Sequence, residues 1–149
     1  YKNGRIQTQN HWSDDKQNGL ETKWFDNGKK KYELTWKMGK KDGIETHWYD
    51  NGQVSDITNW IDNQAHGEMV TYHKNGVKKD QLEWDHGVLV NERSTWNDKG
   101  VLIAKCVNKN GNTFNGTVYD PEFSLILTFV DGNQTSSKVC DKDGKIKEK

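Results

Sequence analysis

Five histidines, two cysteines and 22 acidic residues are the side chains with which this chain could bind a metal or catalyse a reaction. The histidines have no metal-ligand spacing; His66 and His73, seven positions apart across a predicted turn, come nearest to one. The segment DKDG at 141–144 opens like a calcium loop, but the alternating acids and closing glutamate of such a loop do not come after it. These patterns indicate exposed loop residues rather than a metal centre.

Motifs for nucleophilic or phosphate chemistry are missing from the sequence too. It contains neither a nucleophile elbow nor a glycine-rich phosphate loop. We therefore expect no enzymatic activity, no catalytic residues and no metal or other cofactor. Cys106 and Cys140 fit either one disulfide or two free thiols, because the sequence does not identify the redox compartment.

The charges of the chain balance. Lysine and arginine total 22, aspartate and glutamate also total 22, and the formal net charge is zero. This balance argues against a nucleic-acid partner, because affinity for nucleic acids depends on neutralising phosphates. It gives no support to strong binding of an anionic membrane, and no apolar run approaches the ~20 residues of a membrane span. Contact with a membrane surface stays open.

A 24-residue repeat organises the first hundred residues. Asn-Gly pairs occur at 3–4, 27–28, 51–52 and 75–76, and Lys-Gly comes next at 99–100. All seven tryptophans lie on multiples of twelve, from Trp12 to Trp96, and Tyr72 occupies the one position in that series without a tryptophan. Rings placed so regularly indicate an ordered chain although only 31% of its residues are hydrophobic.

Each repeat has the pattern of two β-strands. In the half-repeat YELTW at 32–36, residues alternate with period two between apolar and polar, as they do in half-buried strands. The Asn-Gly pairs provide the positive φ that a tight hairpin needs at both central residues. The other connection in each unit is longer and ends in Gly19, Gly43 or Gly67. Stacked units of this kind predict an all-β fold, an elongated antiparallel β-meander built of 24-residue hairpin repeats.

The even numbering of the tryptophans predicts that they share one face. If both half-repeats keep the same register, residues twelve apart become neighbours on adjacent strands. The rings would then form a ladder with a spacing of about 4.8 Å.

Acidic side chains are expected on that same face in the third and fourth units. The column 8, 32, 56, 80 contains Thr, Tyr, Asp and Asp, and the column 20, 44, 68, 92 contains Leu, Ile, Glu and Glu. Either these acids are solvated at the rim of the sheet, or they and the rings form a surface for a basic protein partner. In the second case the partner-binding residues are Asp56, Glu68, Asp80, Glu92, Trp60, Tyr72 and Trp84.

The last third of the chain departs from the repeat. Position 108 is Asn108, and the continuous apolar run FSLILTFV lies at 123–130. Such a run is typical of a strand buried on both sides or of a capping element. We therefore divide the chain into four β-hairpin repeats over residues 1–100 and divergent β-strands over 101–149 that cap the array.

The repeated unit resembles the bacterial variant of the MORN repeat, as found in YwqK-like antitoxin and immunity proteins. The resemblance runs from residue 3 to about residue 100. The third unit departs from it at Ala65 and His66, and the fourth has Asn91 where the others have glycine. The family implies an elongated antiparallel sheet used for binding, without catalytic residues. The matching positions are clearest in the second unit, at Gly39, Gly43, Trp48, Tyr49, Asn51 and Gly52.

Two functional hypotheses arise from the resemblance. The first is a non-catalytic antitoxin or immunity protein that binds a cognate bacterial toxin and neutralises it by occlusion. The alternative is a scaffold or surface-attachment module that binds membrane, envelope polymer or its own copies, for instance as a homodimer. Choline-binding repeats of cell walls are also aromatic hairpin units, but their period is shorter than the one in this chain. The location stays open between the periplasm or envelope and the cytoplasm. The sequence begins with Tyr1, and it does not decide whether a leader comes before this residue.

Overall fold

The computed structural model describes residues 2, 4–109, 113–120, 125–130 and 133–139. Within these residues, no helix has the length and apolarity needed to cross a membrane. The strands are β1 (Thr8–Gln9), β2 (Trp12–Ser13), β3 (Lys16–Gln17), β4 (Gly19–Trp24), β5 (Lys30–Lys37), β6 (Lys40–Trp48), β7 (Val54–Ile61), β8 (Gln64–Ala65), β9 (Gly67–Tyr72), β10 (Lys78–Asp85), β11 (Val88–Trp96), β12 (Leu102–Lys109), β13 (Thr113–Asp120), β14 (Leu125–Val130) and β15 (Asn133–Val139).

Thirteen of the described strands form one sheet, in which neighbouring strands run antiparallel. Its order is β1-β4-β5-β6-β7-β9-β10-β11-β12-β13-β14-β15, and β8 pairs with β7 beside this path. Strands β2 and β3 pair only with each other in the described part of the chain. Since nearly every strand pairs with the next one along the chain, the predicted all-β antiparallel meander of hairpins is confirmed.

The Asn-Gly turns differ from the predicted type. The amide of Gly28 donates to Phe25 O at 3.0 Å, and only Gly28 of the Asn27-Gly28 pair has a positive φ, of 85°. This is a four-residue turn that ends in a left-handed glycine, so the prediction of positive φ at both central residues is wrong. Asn27 acts through its side chain instead: Oδ1 accepts from Lys29 N at 2.9 Å and Nδ2 donates to Asp50 O at 3.0 Å.

The same asparagine contact links successive repeats. Asn51 Nδ2 donates to Lys74 O at 2.9 Å, and Asn75 Nδ2 donates to Asp98 O. Each asparagine therefore ties its own turn to the equivalent turn of the next repeat, which keeps these turns stacked along one edge of the meander.

Two-residue turns with positive φ at both central positions lie at the opposite edge. They are Met38-Gly39, Asp62-Asn63 and His86-Gly87, with φ values between 46° and 82°. These are the conformations that fit the twist of a tight hairpin. The sequence analysis expected this connection to be the longer of the two in each repeat. In the structure it is the tighter one. Equivalent turns again contact each other, because the amides at positions 39, 63 and 87 donate to the carbonyls of residues 17, 41 and 65 at 2.8–2.9 Å.

One unpaired residue recurs at the same place in successive repeats, just after each Asn-Gly turn or its Lys-Gly equivalent. Lys23 pairs with Tyr32 and Trp24 with Lys30, which leaves Lys31 without a residue opposite it. This is a β-bulge, and it recurs at the equivalent position of each later repeat, at Ser55, Lys79 and Ile103. Because side chains alternate with period two, one extra residue exchanges the faces of every side chain beyond it.

The two-residue turns and the bulges together divide the tryptophans between the two faces of the sheet, so the prediction of a single ladder is wrong. Direct pairing sets Trp36 opposite Gly19, Trp60 opposite Gly43 and Trp84 opposite Gly67, on the face that also carries Leu34. We name this the Leu34 face. The residues that end β4, β6, β9 and β11 point to the other side, since each comes directly after a residue of the Leu34 face. We name that side the Trp48 face; its rings are Trp24, Trp48, Tyr72 and Trp96.

Apolar burial in the described residues is concentrated on the Leu34 face. Leu34 is fully buried, and Tyr32 beside it in β5 is nearly so. Leu34 pairs with Glu21 on one side and Glu45 on the other, and both glutamates are also buried. Trp36 Nε1 donates to Glu21 Oε2 at 2.9 Å, which holds the indole near this row. The core is thus covered by large rings and by the stems of charged side chains.

Beyond residue 100 the sheet continues without interruption. Strand β12 pairs with β11, and β13, β14 and β15 come next in turn. The apolar run contributes β14, but its side chains lie outside the described residues, as do the side chain of Cys106 and all of Cys140. A division at residue 100, with a capping role for the strands beyond it, stays a prediction.

Replacing Gly43 by alanine should destabilise the fold more than the same change at Gly39. Gly43 has a φ of 123°, and a Cβ on it would lie 3.2 Å from Thr35 Cβ. Gly39 has a φ of 82°, and its nearest neighbour, Lys16 Cβ, would lie at an ordinary 3.8 Å. We expect a loss in the free energy of unfolding of about 3 kcal/mol for Gly43→Ala and about 1–2 kcal/mol for Gly39→Ala. Urea denaturation measures both, and equal losses would contradict the close cross-strand approach at Gly43.

Candidate functional site

Counted from one two-residue turn to the next, the repeats are residues 17–38, 41–62 and 65–86, and this numbering is kept below. A cavity of about 460 Å³ opens on the Leu34 face between the second and third of them. Its walls come from β7, β8, β9 and β10 and from the two turns at the edge. Two indoles and a thioether make it largely apolar, and amide groups from the turn at 63–64 provide polar contacts. The lining residues are Thr58, Trp60, Asn63, Gln64, Ala65, Met69, Trp84, His86 and Gly87.

Glycine and alanine in the neighbouring strands make room for the two rings of the cavity. Trp60 pairs with Gly43 on one side and Ala65 on the other, and Trp84 pairs with Gly67. A residue without a large side chain opposite an aromatic ring lets the ring lie over the strand. The spacing of glycine and tryptophan in the repeat therefore opens the sheet surface at this point.

The two indoles of the cavity have polar atoms with nothing to bond. Trp60 Nε1 and Trp84 Nε1 are buried and have no hydrogen-bond partner in the described structure. In the first repeat the equivalent Trp36 donates to Glu21. A buried donor without an acceptor costs about 1–3 kcal/mol, so each of these N–H groups favours an acceptor supplied from outside.

Differences between the repeats explain the two unpaired donors. The position of Glu21 in the first repeat is occupied by Glu45 in the second and by Met69 in the third. The carboxylate of Glu45 is already bonded by Lys41 Nζ and His47 Nε2, both at 3.1 Å. Met69 offers Trp84 no carboxylate at all. The repeat thus keeps the indole donor and loses its internal acceptor from one unit to the next.

A row of polar side chains crosses the sheet beside the cavity. Along this row each residue is the cross-strand partner of the next, in the order Tyr32, His47, Asp56, Thr71 and Asp80. Burial works against ionisation of Glu45, yet its hydrogen bonds with His47 and Lys41 lower the pKa of this carboxyl below its ordinary value. The bond to Glu45 is also the main reason why the pKa of His47 is raised.

Asp80, at the far end of that row, has all of its bonding capacity in use. It is 7% exposed, and it accepts hydrogen bonds from Thr95 at 2.7 Å, from Arg93 at 2.9 Å and from Thr71 at 3.1 Å. Burial disfavours its charged form, but these bonds and the charge of Arg93 outweigh burial and lower the pKa of Asp80. Asp80 therefore joins β9, β10 and β11 and has little capacity left for a partner.

The structure does not bring the seven predicted partner-binding residues together on one face, which corrects that expectation. Asp56, Asp80, Trp60 and Trp84 belong to the Leu34 face, as the pairing of Asp56 with Thr71 and of Thr71 with Asp80 requires. Glu68 and Tyr72 belong to the Trp48 face, because they alternate with Thr71 along β9. The side chain of Glu92 lies outside the described residues. Partner binding by any of the seven stays a prediction.

Several residues of the cavity were not predicted from the sequence. Met69, Gln64 and His86 line it, and His86 also contacts Asp85 and stacks near His66. A comparison of equivalent positions could have found Met69, since it replaces a glutamate of the first two units. The approach of His66 to His86 depends on the stacking of two turns, which no short-range spacing reports.

Comparison with known families identifies the repeat. Residues 17–38, 41–62 and 65–86 each match the family model of the MORN repeat variant. These three segments are therefore similar to the MORN repeat variant. No curated protein matches the chain. The MORN repeat is a non-catalytic module, so the chain carries a repeat-based binding module. Absence of any enzymatic activity in the whole chain stays a prediction.

The three matched segments begin at regular intervals, at positions 17, 41 and 65. Each ends on the first residue of a two-residue turn, Met38, Asp62 or His86. The cavity lies between the second and third of them. Of the fourth predicted unit, only the residues after His86, Asn91 among them, fall outside the matched segments.

Replacing tryptophan by phenylalanine should separate the bonded indole from the unbonded ones. Trp36→Phe and Trp84→Phe remove similar ring area, but only Trp36→Phe also takes a donor from buried Glu21. We expect Trp36→Phe to lower the free energy of unfolding by about 1–3 kcal/mol more than Trp84→Phe. Chemical denaturation followed by circular dichroism measures the difference. Equal losses would contradict the assignment of Trp84 Nε1 as an unpaired donor.

Acid should weaken the fold through Asp80 and Glu45. The pKa of each carboxyl is lowered in the folded state, so its stabilising effect is present above the unfolded pKa and is lost as pH falls. We expect the free energy of unfolding to decrease as pH goes from about 5 to 3. His47 acts in the opposite sense: its pKa is raised, so its effect is lost as pH rises above about 6.5.

Asp80→Asn tests the acidic limb of this pH dependence. We expect it to cost about 1–3 kcal/mol at neutral pH and to flatten the decline between pH 5 and 3. Asp98→Asn, at an exposed position, is the matched control and should leave the profile unchanged. An unaltered profile in Asp80→Asn would contradict the role given to its hydrogen bonds.

Proposed function

We propose that this chain is a non-catalytic antitoxin or immunity protein that binds a cognate bacterial toxin and inhibits it by occlusion. The repeat match supports the binding module, and the resemblance of the units to YwqK-like proteins supports the antitoxin role. A bacterial origin is part of the same proposal. Inhibition works by covering the toxin's active site or its path to substrate, which needs an extended surface rather than catalytic groups.

The observation that carries this proposal is the cavity with two unpaired indole donors. Tryptophan is among the side chains that contribute most to protein interfaces, because it has a large apolar area and one directional N–H group. Trp60 and Trp84 place their apolar rings and their N–H groups within one cavity on the Leu34 face. A partner loop that inserts an apolar side chain and one carbonyl or carboxylate oxygen would satisfy the apolar wall and the donors together.

Lys41 lies against one ring of the cavity, but its charge is already paired. Lys41 Nζ lies 4.4 Å from the centre of the Trp60 ring and 3.1 Å from Glu45 Oε2. The two charges offset each other, so the partner group that the indole N–H favours is selected by hydrogen bonding rather than by an unpaired cation. This differs from the basic partner expected from the sequence, because Asp80 is committed to Arg93 and Glu68 lies on the opposite face.

Exposed apolar side chains on the Trp48 face favour a second function, that of a scaffold binding its own copies, envelope polymer or membrane. Leu20 and Ile44 are 44% and 61% exposed. Both lie on that face, because Leu20 pairs with Thr35 and Ile44 with Asn59. Self-association through this face would be insensitive to salt, since apolar contact carries it. Sedimentation velocity at low and high salt tests it directly.

The antitoxin proposal is tested by capture and then an activity titration. The tagged full chain is used to isolate its partner from bacterial lysate, and the purified partner's own activity is then titrated with the chain. We expect inhibition that saturates at one chain per partner. A partner that binds tightly and keeps its full activity would contradict the antitoxin role without affecting the assignment of a binding module.

Two neighbouring residues of β9 show which face the partner covers. Met69 lines the cavity on the Leu34 face, and Glu68 points to the Trp48 face. We expect Met69→Arg to weaken binding by about 30-fold or more, the effect of losing an interface hot spot, and Glu68→Arg to change it little. Thermal melting of both variants shows that each is folded. The reverse ranking of affinities would move the interface to the Trp48 face.

A further inference from the structure

Three metal-binding side chains meet at the edge of the third repeat. His66 Nδ1 lies 3.4 Å from Asp85 Oδ1, and His86 Nδ1 lies 2.5 Å from the same oxygen. One ligand atom from each residue falls within 4.8 Å of the other two. We propose that His66, Asp85 and His86 form a binding site for one divalent transition-metal ion, with zinc the best fit.

The stacking of turns builds this cluster. The amide of Gly87 donates to Ala65 O at 2.8 Å, which holds the 85–88 turn against the residue that precedes His66. The amide of His66 donates to Asn59 O at 2.9 Å, which fixes the start of β9. Both histidines are therefore carried by backbone whose position is set by hydrogen bonds, and only their side chains need to adjust to an ion.

A buried nitrogen in the cluster points to a missing ligand. His66 Nδ1 is buried and has no hydrogen-bond partner within the described structure. Its 3.4 Å distance to Asp85 is an ionic contact only if the ring is protonated, and the two groups do not meet hydrogen-bond geometry. A metal ion would accept the lone pair of this nitrogen in its neutral form, and would remove the cost of an unsatisfied buried atom.

The other two repeats provide an internal comparison. In the second repeat, the positions equivalent to His66, Asp85 and His86 are occupied by aspartate, isoleucine and aspartate, at 42, 61 and 62. In the first they are occupied by asparagine, lysine and methionine, at 18, 37 and 38. Of these three repeats, only the third combines two imidazoles with a carboxylate. The backbone contact between turns is the same in all three, so the ligand set is a feature of these side chains and not of the fold.

The ligand types select the metal. Two imidazole nitrogens and one carboxylate oxygen suit zinc and its neighbours in the transition series, whereas calcium and magnesium prefer oxygen ligands alone. Tetrahedral zinc with bonds of about 2.0–2.1 Å needs ligand atoms roughly 3.4 Å apart. The ligand atoms here lie within 4.8 Å of one another, and Asp85 Oδ1 and His86 Nδ1, at 2.5 Å, are closer than zinc requires. Binding of the ion therefore requires rotation of the His86 side chain, which is 61% exposed, so that its contact with Asp85 opens.

Three protein ligands leave one coordination position of zinc to an outside group. His86 also lines the cavity on the Leu34 face, so this position lies near the unpaired indole donors. Water fills it in the free protein, and a carboxylate or imidazole of a binding partner can replace the water. Metal binding by the free chain does not require that partner, so it is measured on the chain alone.

Isothermal titration of the metal-free full chain with zinc chloride tests the proposal. We expect one ion per chain, and a loss of affinity of at least tenfold in each of His66→Ala, Asp85→Asn and His86→Ala. His11→Ala is the control, since His11 is exposed and its Nδ1 contacts Leu20 O at 2.7 Å, away from the cluster. Circular dichroism of each variant without metal shows that the sheet is intact.

Cobalt substitution gives a readout that scattered surface histidines would not produce. Cobalt bound by these three side chains should develop the visible absorption of a low-coordinate site, and Asp85→Asn, which keeps the shape of the side chain, should lower its intensity. Weak binding at several sites, equal in the parent chain and in His66→Ala, would overturn the proposal. So would titrations of the parent chain that detect no heat and no cobalt absorption.

Discussion

The register of strand pairing, set by one bulge and one two-residue turn per repeat, decides which face of this sheet each side chain occupies. The bulges at Lys31, Ser55, Lys79 and Ile103 exchange the two faces once in every repeat. Without them, the two rings on either side of an Asn-Gly turn, such as Trp48 and Trp60, would share a face, whereas the two-residue turn at 38–39 already puts Trp36 and Trp48 on opposite faces. With the bulges, each repeat places one ring opposite a glycine on the Leu34 face and the next on the Trp48 face. The cavity between Trp60 and Trp84 exists because of this separation.

A sheet of a single layer must stabilise itself with contacts between neighbouring strands and turns. Within the described residues few apolar side chains are buried, and Leu34 is the largest that is fully so. Carboxylates such as Glu21 and Asp80 bridge adjacent strands instead, and asparagines tie each turn to its equivalent in the next repeat. These contacts are local and repeat along the chain, as in other repeat proteins. Individual side chains can therefore change from repeat to repeat without loss of the fold.

The fold could be predicted from the sequence to the level of strands and their order, because the period of the repeat and the regular Gly positions are visible in it. The face of the sheet on which each side chain lies could not be predicted. A bulge adds only one residue, and Lys31, the residue that is added, does not differ in type from Lys30. The turns were predicted at the right places with exchanged conformations. Asn27 stabilises its turn through its side-chain amide, which donates a hydrogen bond to the next repeat. Turn rules that consider only neighbouring residues do not include such a long-range contact.

Trp60 and Trp84 of the candidate site were predicted from the sequence. The sequence did not show that their indole N–H groups are free to bond a partner. Their availability is explained by a comparison with Trp36, which has an acceptor in Glu21. The same position is Met69 in the third repeat, and there the donor is left unbonded. The glutamate is thus not needed for the backbone to fold, and its replacement leaves a group that only an outside acceptor can satisfy. The same reasoning applies to the cluster of two histidines and an aspartate, since the fold is complete without it in the first two repeats. In an array of equivalent units, the positions where some units omit an internal bond that another unit makes are the positions at which binding can be selected without cost to the fold.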